Sequence, residues 1–68
     1  METFGNKLKK LRYNCKLSQK QIAEKLEISR SAYANYEQGR REPNLKTLKK
    51  ISVLFHCTCD YLIGKDEF

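Results

Sequence analysis

The sequence predicts an all-α fold, a compact five-helix bundle built around a helix-turn-helix. Three observations carry this. Helix starts are signalled at Ser18 and again at Ser29, with only one short helix and a turn fitting between them. Apolar residues recur at helical spacing on both sides of that pair, at Phe4, Leu8, Leu11 and Cys15 before it and at Leu45, Leu48, Ile51 and Phe55 after it. Finally, 68 residues make one domain and no more, so residues 1–68 are expected to share one core.

The first helix is expected over residues 3–15, with Thr3 as its cap. Lys7, Lys9, Lys10 and Arg12 fall off the apolar stripe and read as a solvated basic face for the lysines. The second helix is expected at about 19–26. Ser18 caps it and Gln21 follows three residues later, a capping-box spacing, while Leu17 and Ile22 stand at hydrophobic-staple positions. Ile22 and Leu26 face the core, and small Ala23 permits a close crossing by the next helix.

The third helix, roughly 30–38, is capped by Ser29, with Ile28 and Tyr33 at the staple positions. The two helices together place the helix-turn-helix at about 19–38. At about 100° per residue, Tyr33 and Tyr36 point one way, and Arg30, Ser31, Ala34, Asn35 and Gln38 occupy the opposite arc. Arg pairs with guanine, Asn or Gln with adenine and Ser with either in the major groove of DNA. Small Ser31 and Ala34 would let the helix backbone come close to base edges. Arg30, Ser31, Ala34 and Asn35 are therefore the candidate base contacts. Gly39 supplies the left-handed residue that stops the helix.

Arg40 and Arg41 follow directly and should lie beside the phosphate backbone. Pro43 breaks the chain and Asn44 caps a fourth helix at about 45–55, in which Leu45, Leu48, Ile51, Ser52 and Phe55 form a core stripe. Helix N-termini attract phosphate through open N–H groups and the positive end of the dipole. Gln19, Ser29, Gln38, Arg40, Arg41 and Asn44 are the candidate phosphate contacts, which position a protein without specifying sequence. His56 falls at the end of the fourth helix. A last short helix is expected from Thr58 to Gly64, with Asp60 in its first turn and Leu62 facing inward.

The segments LKKLR (8–12), LSQKQIAEKL (17–26), ISRSAYANYEQGRREPN (28–44), LKTLKKIS (45–52) and TCDYLIG (58–64) resemble the lambdoid repressor and Cro family, the XRE class of helix-turn-helix regulators. The resemblance covers nearly the whole chain, in order. It implies a lambda repressor-like DNA-binding domain and a transcriptional regulator, most often a repressor. It also implies that Arg12 pairs with Glu37, the glutamate near the end of the recognition helix, so that both are structural. Gln19 inherits a phosphate role from it. Lys16 and Glu27 stand where the family often has glycine, and Cys57 where it often has a buried valine, which suggests a small buried thiol. A dimer surface around Val53, Tyr61 and Ile63 is implied in part by the same resemblance. A dimer would set two recognition helices about 34 Å apart on a near-palindromic operator.

Composition agrees. With 14 Lys+Arg against 8 Asp+Glu, the net charge is +6, which suits a polyanionic partner. No apolar run approaches the roughly 20 residues of a membrane span, and no signal peptide is visible. Three cysteines argue against a disulfide framework and for reduced thiols in the cytoplasm. His56, Cys57 and Cys59 do not have the spacing of a structural zinc site, and no fourth ligand is evident, so no metal and no cofactor is expected. One histidine, no clustered carboxylates and no glycine-rich phosphate loop leave no catalytic constellation, and no small-molecule ligand is evident. RNA binding would need tyrosines free to stack on bases, and the two in helix 3 are expected in the core. The alternative function is a protein-interaction module on the same fold, an antitoxin or anti-repressor partner. Acidic or bulky apolar residues at positions 30, 31, 34 and 35 would favour it, and the sequence has none there.

Overall fold

In a computed structural model, residues 3–57 and 61–62 are described. Four helices run among the described residues: α1 (Phe4–Cys15), α2 (Gln19–Leu26), α3 (Arg30–Gln38) and α4 (Leu45–Phe55). The expected fifth helix, Thr58 to Gly64, lies largely outside the described residues. Only Tyr61 and Leu62 are described there, both helical, so an all-helical fold is established, with four helices among the described residues.

Each helix begins on a side-chain cap. Thr3, Ser18, Ser29 and Asn44 all have extended backbones, and their side-chain oxygens accept from the N–H groups of Asn6, Gln21, Ala32 and Thr47. Such a cap satisfies one of the donors a helix start leaves open, worth about 1 kcal/mol. At Ser18 the box is closed, because the Gln21 side chain accepts from the Ser18 N–H at 2.8 Å.

The ends follow one pattern too. Lys16, Glu27, Gly39 and His56 are left-handed, with φ of 58°, 61°, 76° and 55°. At each end the next N–H reaches back to a carbonyl five residues earlier: Leu17 to Arg12, Ile28 to Ala23, Arg40 to Asn35 and Cys57 to Ser52. Three of these following residues, Leu17, Ile28 and Cys57, pack against the core. The fourth is Arg40, which stays in solvent. Among the four described helices, the end of α3 is thus the one closed by a charge instead of an apolar residue.

α1 and α2 both pack on α3, and α2 also packs on α4. The core comprises Leu8, Ile22, Ala23, Leu26, Tyr33, Ile51, Phe55 and Leu62. Phe4, Leu11, Leu48, Leu54 and Tyr36 pack at its edge.

Four expectations about burial are corrected. Lys7 is not on a solvated face: it is 2% exposed, and its ammonium donates to the Tyr61 carbonyl at 2.8 Å and lies 5.0 Å from the Tyr61 ring centre. Positions 4, 7, 8 and 11 complete the buried stripe of a helix, so the long Lys7 stem is packed while its head finds polar company. Leu45 is 65% exposed, because six residues of helical rotation place it about 120° from Ile51. Cys15 is exposed at the last residue of α1. The chain reverses at Lys16, and Leu17 packs against the core there in its stead. Cys57 is half-buried where a buried thiol was expected.

Candidate nucleic-acid interface

α3 is held from one side. Tyr33 is fully buried and the Glu37 side chain is 2% exposed, and both point into the body. One helical turn separates them, so they form a single inward line. The Glu37 carboxylate is the node of a polar network joining three helices. Arg12 Nε of α1 donates to its Oε2 at 2.7 Å and Arg12 Nη2 to its Oε1 at 3.3 Å. Gln19 Nε2 of α2 donates to Oε1 at 3.0 Å. Arg12 Nη1 donates to the Leu17 carbonyl at 3.1 Å, and its guanidinium lies over the Tyr13 ring at 4.7 Å.

Burial alone would raise the Glu37 carboxyl. The hydrogen bonds around it, that from Arg12 foremost, outweigh burial and hold it below the ordinary carboxylate range. The Tyr33 hydroxyl is buried without a hydrogen bond of ordinary geometry, and burial followed by the adjacent carboxylate pushes its ionisation far up. A buried charge is tolerated only when it is paired and its lone pairs are met, which Arg12, Gln19 and Arg12 again accomplish here.

The opposite arc of α3 is turned outward. Arg30, Ser31 and Gln38 are exposed, and Ala34 and Asn35 are half-exposed between them. Nine residues make a helix about 13 Å long, and an α-helix with its side chains, about 10–12 Å across, is what a major groove about 12 Å wide admits. The Asn35 carbonyl accepts from the backbone N–H of both Arg40 and Arg41, at 3.0 and 3.4 Å. That ties the strongly basic pair to the last turn of α3, and both side chains are in solvent.

The other candidates lie at helix starts. Gln19 opens α2, Ser29 caps α3 and Asn44 caps α4. Capping uses an acceptor of Ser29 and of Asn44 and leaves the hydroxyl hydrogen and the amide NH₂ as donors toward solvent. Gln19 is different: its side chain is half-buried and one amide hydrogen is committed to Glu37. Sequence reasoning missed this link, whose partners are 18 residues apart, and the Arg12 bond to Leu17 across the end of α1, because neither belongs to a capping or periodic motif.

A family model described as helix-turn-helix matches residues 8–62. The chain belongs to the helix-turn-helix family, XRE class. It is 43% identical over 65 residues to the HTH-type transcriptional regulator ImmR of Bacillus subtilis, covering 96% of this chain and 51% of that protein. It is 46% identical over 65 residues to the control protein C.MunI of a Mycoplasma species, covering 94% of this chain and 88% of that protein. This helix-turn-helix chain therefore spans about half the length of the first relative and most of the second. Its backbone matches the P22 c2 repressor, solved in complex with a synthetic operator, with a TM-score of 0.91 and 26% identity over 97% of this chain and all of that one. No helix among the described residues of this helix-turn-helix protein is long and apolar enough to cross a membrane.

Proposed function

We propose that this chain is a sequence-specific double-stranded-DNA-binding transcriptional regulator, a dimeric repressor of a near-palindromic operator. The observation that carries the reading is the two-faced α3: Tyr33 and Glu37 anchor it inward, while Arg30, Ser31, Ala34, Asn35 and Gln38 face out. Likeness to a repressor solved on its operator supports it.

On this reading Arg30, Ser31, Ala34 and Asn35 meet base edges. Arg40, Arg41 and Gln38, with Gln19, Ser29 and Asn44 at helix starts, meet phosphates on either side of the groove. Arg12 and Glu37 contact no DNA and hold α3 in place. The 1–68 unit acts as a single domain, in the cytoplasm, without a cofactor. The dimer forms through the C-terminal region, where Val53 is 73% exposed and Tyr61, eight positions later, is 36% exposed; Ile63 lies outside the described residues.

The test is selection of bound duplexes from a random pool at about 0.15 M salt, where phosphate attraction is partly screened. The expected product is an inverted repeat. Recovery of no preferred sequence by the folded protein would replace this reading with that of a protein-interaction module.

A further inference from the structure

Gly5, buried in the first turn of α1, is the point where that helix touches α3 backbone to backbone. A Cβ at this position would lie 2.8 Å from the Glu37 carbonyl carbon and 2.9 Å from the Tyr36 carbonyl oxygen, and closer still to the Glu37 carbonyl oxygen. Ordinary carbon contacts are about 3.5–4.0 Å. The obstructing atoms are all main chain, so no side-chain rotation can clear them. A methyl group there must push α1 and α3 apart by roughly 1 Å. Glycine is also a poor helix former, so helix propensity does not account for it.

The contact falls on the same residue that Arg12 holds. α1 therefore grips Glu37 at two points, its carboxylate through Arg12 and its carbonyl against Gly5. Glu37 is in the last turn of α3, directly before the outward Gln38 and the turn that carries Arg40 and Arg41. Binding sites work when their groups are held to about 0.5 Å, so the displacement that a side chain would force exceeds that tolerance. Phosphate contacts are more forgiving, because charge attraction falls off slowly with distance, whereas paired hydrogen bonds to a base edge are directional.

We propose that Gly5 is a positioning residue for base reading: it lets α1 close on the end of α3 and so sets how far Arg30, Ser31 and Asn35 reach into the groove. This rests on the DNA-binding reading above. Gly5 touches no DNA and acts through Glu37 and the pitch of α3.

The experiment measures binding of the full chain and its Gly5→Ala variant to the selected operator and to an unrelated duplex, each with and without Arg30→Ala. The expected result is an operator Kd raised about tenfold or more by Gly5→Ala, with affinity for the unrelated duplex changed by less than about twofold. The penalty of Arg30→Ala should shrink in the Gly5→Ala background, since its guanidinium is already out of register. Equal losses on both duplexes, or an Arg30→Ala penalty that is the same in both backgrounds, would reduce Gly5 to a packing residue and overturn the proposal. Should Gly5→Ala not fold, the same measurements are made with Lys16→Gly and Glu27→Gly added to relieve their left-handed strain. A chain still unfolded in that background overturns the proposal too. Failure of the wild-type chain to enrich any sequence ends the DNA-binding reading and the proposal together; a wild-type chain that selects an operator, with Gly5→Ala equal to it, ends the proposal alone.

Discussion

Arg12 and Glu37 are 25 positions apart in sequence and 2.7 Å apart in space. The pair joins the helix that opens the chain to the helix that faces outward, with 11% of the arginine side chain and 2% of the glutamate side chain exposed. Replacing Arg12 by Ala strands a buried carboxylate. The expected loss is about 3 kcal/mol of folding stability, measured by urea denaturation. Glu37→Gln, which keeps the hydrogen-bonding shape, should cost less; an equal cost would mean that packing and not charge decides.

Acid should loosen the same junction. The folded Glu37 carboxyl is held below its ordinary value of 4.5, so the folded state favours the ionised form. Its contribution is complete above that ordinary value and is lost as pH falls through the lower folded value. Stability against urea should therefore decline below about pH 4.5 more steeply in the wild type than in Glu37→Gln. Parallel curves would remove Glu37 from the acid response.

Arg30 is exposed at the first position of α3, and the proposed reading gives its guanidinium a guanine edge. Arg30→Ala is expected to weaken operator binding by ~1–3 kcal/mol and to relax preference at one base position. Selection with the variant checks this, and an unchanged motif would rule Arg30 out as a base reader.

Arg40 is tied through its backbone to the Asn35 carbonyl and carries its charge in solvent. Arg40→Ala should lower affinity alike on all sequences and flatten the plot of log affinity against log salt by about one unit. A loss confined to one sequence would contradict a phosphate role.

Lys16 and Glu27 adopt left-handed backbones that favour glycine. Each substitution by glycine should stabilise the fold by about 1 kcal/mol in thermal or urea unfolding. For Glu27 the gain is reduced slightly by loss of its 3.4 Å bridge to Lys50, an exposed pair of small worth. A loss of stability at Lys16 would show that its side chain matters more than its backbone.

The local level of this fold was legible because its signals are local. Ser18, Ser29 and Asn44 cap over three residues and Gly39 ends α3 within one turn, so residue type and spacing decide them; the ends at Lys16 and Glu27 were marked only by the family's frequent glycine there. The outward arc of α3 was legible for the same reason: helical rotation separates Arg30, Ser31 and Asn35 from Tyr33 whatever packs on them. The Arg12–Glu37 pairing was anticipated only through family resemblance, since nothing within one helix links the two. What tertiary structure alone decided concerns distances between helices. Lys7 is buried against Tyr61, Gln19 is committed to Glu37, and Gly5 meets the carbonyls of α3. Periodicity states which side of a helix is apolar, but it does not state how closely a second helix approaches or where that helix ends. Those quantities come from packing the whole core at once, and they set the height at which α3 presents its outward face.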